Sequence, residues 1–384
     1  MFPTSNATMN FLLVCGFCSA FLGSLCLTPL VRRYSAALGL MDLPGERKVH
    51  FTPTPRGGGI AIFSSLLLSA VVFVPLLLQS AAGIPGARSA SGALIAIAVG
   101  ACVLFLTGLA DDRWNLSWRF RLGVQLVVAS GVVFGGVRAS VFVSQPWFGF
   151  LLTVIWILVL TNAMNFLDNM DGLSAGIGMI AATLFAVILL LLVRSPNVAV
   201  AGPLVLLSGS LLGFLFWNRP PATIFMGDCG SNLIGFLLAT LTVAGTFYED
   251  SGSRHVMLAP LCVMAVPLYD FCTVIAIRLK QGRSPFHGDK SHFSHRLVEL
   301  GMRPAMAVLT IHLTTAMTGL GALLLYRVEG WVGAWIVLLL ILLVLCVIAI
   351  LEFVGRSSVR EVQGELSQIR GAIAETSCEA AEAD

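Results

Sequence analysis

The chain has 384 residues, 57% of them apolar and only 11% charged, whereas a soluble domain carries about 25% charged residues. That balance, with a mean hydropathy of +0.91, excludes an ordinary water-soluble globular protein and exceeds what one membrane anchor would give. The nine Cys show no CxxC pairing with His, so neither a disulfide framework nor a zinc site is expected; no nucleic-acid partner is expected, and the net charge of +3 is uninformative as a total.

A helix needs roughly 20 apolar residues to cross a hydrocarbon core about 30 Å thick. In chain order such runs fall at about 10–31, 60–78, 93–110, 122–137, 147–165, 174–193, 198–217, 230–248, 256–277, 305–326 and 331–351. The expectation is an all-α polytopic integral membrane protein with about eleven transmembrane helices. Lys and Arg are retained in cytoplasmic loops. With the N-terminus outside and the C-terminus cytoplasmic, every Lys and Arg falls in an inside segment except Arg88, Arg138, Arg194, Arg254 and Arg327. The first run reads as a retained helix, because residues 1–9 carry no Lys or Arg and the pair Arg32 and Arg33 follows it. Residues 1–351 form one membrane domain in this reading, and 352–384 a polar cytoplasmic tail.

Acids are costly in a membrane, so their positions are informative. Most gather in or beside the inside loops, with Asp270 a little deeper, while only Glu249, Asp250 and Glu329 lie outside. Five inside segments stand out. In the first, Asp111 and Asp112 end an apolar run; adjacent carboxylates repel, and one cation relieves them. Such hard oxygens suit Mg²⁺, although a solvated helix end would look the same. The second runs from Asn162 through Asn165 and Asp168 to Asp171 and Gly172. Its polar groups turn by roughly 60° at each step of three on a helix, so they cannot share one face. The two Asn would line a cavity and the two Asp would sit at the cytoplasmic edge.

In the third segment Asp228 lies between Gly227 and Gly230, just before an apolar helix. The free amides and dipole of a helix start favour phosphate there; an N-cap by Asp228 or Ser231 is the alternative. The fourth, Gly282 to Arg296, holds Arg283, Asp289, His292, His295 and Arg296, which can contact pyrophosphate or assist proton transfer. The fifth, Asp42 to Gly59, is rich in Pro and Gly and carries Arg47, Lys48, His50 and Arg56. Its cations would bind an anionic substrate or anionic lipid heads.

In this order the five segments resemble the polyprenyl-phosphate N-acetylhexosamine-1-phosphate transferases, glycosyltransferase family 4, from about Asp42 to Leu300. The resemblance implies a bacterial-type inner membrane protein with its active site facing the cytoplasm. It also implies transfer of a sugar 1-phosphate from a UDP-sugar to undecaprenyl (polyprenyl) phosphate, releasing UMP, with Mg²⁺ as cofactor or Mn²⁺ in its place. On that model Asp111, Asp112, Asp168 and Asp228 bind metal, and Asp111, Asp112, Asp228 and His292 are catalytic, with Asp111 the candidate base. Asn162, Asn165, Asp168 and Asp171 belong to the segment that contacts nucleotide. His292 and His295 match the loop that meets pyrophosphate and sugar, while Arg47, Lys48, His50, Arg56, Arg283, Asp289 and Arg296 complete the substrate-binding set. A homodimer is compatible with the resemblance, and a groove open to lipid is implied.

The chain departs from the family pattern at Ser294, where His is frequent, at Asn169, where Gly is common, and at Arg119 and Arg121, where Lys often occurs. The Ser-Pro-Phe-His-Gly-Asp-Lys-Ser-His stretch and the span count look more like the N-acetylglucosamine branch than the phospho-N-acetylmuramoyl-pentapeptide branch. A secondary transporter is the alternative of a different class. It fits less well, since transporters place ionisable sites near the midplane between repeats, whereas here the acids gather at one face and no repeat is found.

Overall fold

The computed structural model describes residues 6–43, 53–80, 90–139, 145–193, 195–245, 254–285 and 291–354. Arg47, Lys48, His50, Asp289 and the chain beyond Val354 lie outside the described residues. The elements are α1 (Asn6–Tyr34), β1 (Met41–Asp42), β2 (Thr54–Pro55), α2 (Gly58–Ser80), α3 (Ala90–Trp114), α4 (Trp118–Phe134) and α5 (Pro146–Phe166). They continue with α6 (Leu173–Val187), α7 (Val198–Asn218), α8 (Asp228–Ala244), α9 (Ala259–Val263), α10 (Ala265–Lys280), α11 (Phe293–Glu299), α12 (Pro304–Leu325) and α13 (Gly330–Val354).

Long apolar runs become helices because only a helix satisfies its own backbone where water is absent. Local signals set the boundaries. Ser117 caps α4 by accepting from the Phe120 amide at 3.3 Å, Asn197 does the same for α7 through Val200 at 3.3 Å, and Pro146 opens α5.

Among the described residues eight helices are long and apolar enough to cross a membrane, and a ninth span results if α9 and α10, bent by 64° with the turn before them, count as one. The polytopic all-α architecture matches the expectation, but the count of eleven is not reached on this measure. The runs at 122–137 and 230–248 fold as the 17-residue helices α4 and α8, each about 26 Å long at 1.5 Å per residue. At the far end, α13 runs to Val354, so Glu352, expected to open the tail, sits in its last turn.

The centre of the bundle is α8, whose residues from Cys229 to Thr242 are all buried against α2, α3, α5 and α6. Around it α7 nests between α1, α2 and α6, while α12 lies on α6 and α9. By contrast, only 11% of the most apolar stretch of α13 is buried. Lipid is as apolar as Leu, so helix contacts in a membrane select small residues that allow close approach. At Gly108 a Cβ would lie 2.5 Å from Cys229 Cα and 2.6 Å from the Asp228 carbonyl oxygen. That clearance brings the acidic end of α3 against the first turn of α8.

The loop between α1 and α2 is fixed by hydrogen bonds. Strands β1 and β2 pair antiparallel, Met41 opposite Pro55 and Asp42 opposite Thr54. The Phe225 amide then donates to the Pro55 carbonyl at 2.8 Å, and the Gly58 and Gly59 amides donate to Phe225 and Met226 at 2.9 Å. Arg56 is thereby carried to the start of α8.

Gly108→Ala overpacks the α3–α8 contact and is expected to cost about 1–3 kcal/mol, read as a lower melting temperature of the detergent-solubilised protein. Gly123→Ala, where a Cβ meets nothing within 4 Å, should leave it unchanged or raise it.

Candidate active site

The start of α8 organises this end of the bundle. Gly227 adopts φ +79°, a left-handed backbone that suits Gly, and a Cβ there would lie 2.6 Å from Asp112 Oδ2. The amides of Asp228 and Cys229 donate to Asp112 Oδ1 and Oδ2 at 2.8 and 3.0 Å. Amides expected to favour phosphate are thus met by a carboxylate from α3, and the cap is neither Asp228 nor Ser231. Negative charge at a helix start also gains from the dipole.

Two guanidinium groups hold the acids together. Arg56 Nε lies 3.1 Å from Asp112 Oδ1 and its Nη2 lies 3.7 Å from Asp228 Oδ1. Arg121, on the first turn of α4, places Nη1 2.5 Å from Asp111 Oδ2 and 3.3 Å from Asp228 Oδ2. Burial would lower Arg56, yet Asp228, Asp112, Asp42 and Asp168 around it hold its guanidinium above the usual value. Asp168 stands beside this group, just past the end of α5. Burial pushes its carboxyl up to about 8, helped by Asp228 and Asp112 and opposed by Arg56 and the Gly227 amide.

The amides of α5 bind inward. Asn165 Nδ2 donates to Asp228 Oδ1 at 2.8 Å and to Ser231 Oγ at 3.0 Å. One turn deeper, Asn162 Nδ2 donates to Gln125 Oε1 at 2.7 Å, and Gln125 Nε2 donates to Asn232 Oδ1 at 3.4 Å. This chain of amides joins α4, α5 and α8 below the carboxylates.

The second cluster lies on α11. His292 Nδ1 is 2.9 Å from Asp270 Oδ2, and the Phe293 amide donates to Asp270 Oδ1 at 2.6 Å. His295 follows on the same helix, its ring 6.3 Å from that of His292. The cluster docks on the end of α5: the His292 ring meets Phe166 edge-on at 5.4 Å, and Ser294 Oγ donates to Asn169 Oδ1 at 2.6 Å. The two departures from the family pattern at 169 and 294 therefore bond to each other.

Asp111, Asp112, Asp168, Asp228, Arg56 and Asn165 come together, with His292 and His295 alongside. Other expected residues are placed elsewhere. Asp171 accepts from the Ala222 amide at 2.8 Å, which ties it to the loop after α7. Arg283 is exposed in the turn after α10. Arg296, expected to bind substrate, is buried at 1% exposure, and its guanidinium is committed to Thr273, Ser291 and Glu352. Its geometry is that of an internal tie. Sequence reasoning does not assign Arg121, Asp270 or Gln125 to the site. The signals for them are a basic family position ten residues after Asp111, an acid set deeper than the others, and a single amide inside an apolar run.

The donors are carboxylate and amide oxygens, which fit a hard cation such as Mg²⁺. Among the described residues no three of His, Cys, Asp or Glu stand close enough to hold a metal ion by themselves. Mg²⁺ usually takes only one or two carboxylates and completes its shell with water and phosphate oxygens.

A family model described as glycosyl transferase family 4 matches residues 94–246, the stretch from α3 to the end of α8. A probable undecaprenyl-phosphate N-acetylglucosaminyl 1-phosphate transferase of Bacillus subtilis is 32% identical over 86% of this chain and 89% of its own length. A decaprenyl-phosphate N-acetylglucosaminephosphotransferase of Mycobacterium tuberculosis is 38% identical over 76% and 77%. An undecaprenyl-phosphate alpha-N-acetylglucosaminyl 1-phosphate transferase of Escherichia coli O157:H7 is 28% identical over 81% and 83%.

The carboxyl of Asp168, held at about 8 when folded, lies above its unfolded value of about 3.9. Its contribution is therefore complete below that lower value and lost as pH rises to the folded value. In chelator, the melting temperature should fall as pH rises from 5 toward about 8, and Asp168→Asn should flatten that slope.

Proposed function

The chain belongs to glycosyl transferase family 4, and we propose that its chemistry takes place at the acidic end of the helical bundle. It is an enzyme that transfers N-acetylglucosamine 1-phosphate to a polyprenyl phosphate in the membrane, and its product starts a cell-envelope glycan. Relatives with these names do not favour the muramoyl-pentapeptide branch, and the family membership sets the transporter aside. The donor is a UDP-sugar. An oxygen of the lipid phosphate attacks the sugar-bearing phosphorus, a new P–O bond forms, the bond to the bridging oxygen breaks, and UMP leaves with that oxygen.

The observation that carries this reading is the convergence of Asp111, Asp112 and Asp228 on Arg56 and Arg121, with Asp168 adjacent. Two anions must meet, so positive charge fixed in place supplies most of the stabilisation. Arg56 and Arg121 offer guanidinium forks suited to phosphate oxygens. Asp111 and Asp228 would hold Mg²⁺ or Mn²⁺, with water and phosphate oxygens completing its shell and Asp168 close by; the ion would supply Lewis-acid polarisation of phosphate oxygens. Asp112 caps α8 and so fixes Asp228. Asp270 holds Nδ1 of His292 and leaves Nε2 for the diphosphate and sugar. A phosphate monoester is largely dianionic near pH 7, with a second pKa of about 6; Asp111 therefore acts as a metal ligand rather than as the base.

The distribution of Lys and Arg supports an outside N-terminus, eleven crossings that include α4 and α8, and a site facing the cytoplasm, where a soluble nucleotide sugar arrives. The deciding experiment follows UMP release by the purified protein with undecaprenyl phosphate, UDP-N-acetylglucosamine and Mg²⁺. Release should require the lipid and stop with EDTA; release only with the UDP-muramoyl peptide would move the protein to the other branch.

Asp228→Asn should lower turnover by about 10²–10³-fold, the cost of losing a principal electrostatic contact. Asp111→Asn should lower it while leaving the shape of the pH–rate profile intact. Loss of the acidic limb in that variant would instead identify Asp111 as the base.

A further inference from the structure

Helix α11, which carries His295 and is preceded by His292, has only seven residues. A helix that short does not persist without tertiary contacts, so its placement is decided by what holds it. Asp270 holds its start through His292 and Phe293. One turn on, the Arg296 amide donates to the His292 carbonyl at 2.9 Å, and the Arg296 side chain makes the second attachment.

Arg296 Nη1 donates to the Ser291 carbonyl at 2.8 Å, and both Nη atoms lie 3.1 Å from Thr273 Oγ1. Its Nε is 3.0 Å from Glu352 Oε2, the same oxygen that accepts from Tyr269 Oη at 3.0 Å. The guanidinium carbon lies 5.7 Å from the ring centre of Tyr269, the neighbour of Asp270 on α10. Glu352 is itself buried, at 6% exposure, although it ends the least buried long helix of the bundle. A carboxylate in such a helix is costly and persists when paired.

We propose that Glu352 is a positioning residue for the transfer reaction: by pairing with Arg296 it locks α11 onto α10 and so sets the imidazole of His292. The proposal rests on the reading of His292 as a substrate contact. It makes Arg296 part of the lock and not a ligand of the substrate.

The test uses the full-length protein in detergent, with UMP release as one readout and labelling of His292 by diethyl pyrocarbonate, followed by peptide mass spectrometry, as the other. Glu352→Leu should lower kcat by about tenfold or more, as a misplaced contact group does, with both KM values within about twofold of wild type. His292 labelling should rise. Arg296→Met breaks the pair from its other side and should also raise His292 labelling, and the double variant Glu352→Leu with Arg296→Met should be no worse than Arg296→Met alone, because the two residues act as one unit. Glu352→Gln keeps the volume and one acceptor, covers failure of Glu352→Leu to fold, and should shift both readouts the same way.

Wild-type kcat and labelling in the folded Glu352 variants would overturn the proposal. So would losses that simply add in the double variant, since Glu352 and Arg296 would then act independently. If the wild-type protein releases no UMP, the functional reading fails by itself, and the labelling result still decides whether Glu352 sets His292.

Discussion

A helix that starts inside an apolar bundle must have its first amides satisfied by the protein, because no water is at hand to do so. In this chain the Asp112 carboxylate meets two of them at the start of α8, and much of the structure follows from that contact. Gly227 leaves room for the carboxylate, Gly108 lets α3 come close enough to deliver it, and Arg56 offsets its charge. Arg56 in turn is held in place by the small ribbon and its bonds to Phe225 and Met226. The same contact that completes the central helix also aims Asp228 at the site.

The charges at this end of the bundle balance one another locally. Three carboxylates share two guanidinium groups, and burial pushes the fourth acid, Asp168, up from the usual carboxylate range. Such an arrangement keeps several acids close together without a large net negative field, which would repel phosphate groups. The His-bearing helix rests on the adjoining loop through Asn169 and Phe166, so groups suited to metal, diphosphate and sugar lie side by side.

The sequence makes apolar runs legible because a membrane imposes length and composition on each helix; among the described residues each expected run falls mainly on a helix or on the bent α9–α10 pair. The acidic pair and the Gly-flanked acid are equally visible, since a carboxylate at the end of an apolar run is costly and marks a site or a buried pairing. Partnerships between distant segments are not visible in this way. Nothing near Asp112 in the chain reveals that its oxygens meet amides 116 and 117 residues later, and Arg121 reads as a basic family position near a helix start with no partner indicated. Arg296 looks like a substrate ligand because charge in a His-rich loop suggests one, while its buried guanidinium meets Glu352, more than fifty positions away. Whether a 17-residue apolar helix crosses the membrane also depends on its neighbours, which periodicity does not report.

The amide chain through Asn162, Gln125 and Asn232 bears on how the helices are turned about their own axes. Between helices in lipid, burial of apolar surface scarcely distinguishes one rotation from another, because every face meets a hydrocarbon surround. Polar groups with few partners do distinguish them: a rotation of α4 by one residue, about 100°, would turn Gln125 away from both neighbours. Since Arg121 lies one turn before Gln125 on the same face, the amides act as a key that fixes the angular setting of α4, and with it the direction in which its own guanidinium is presented.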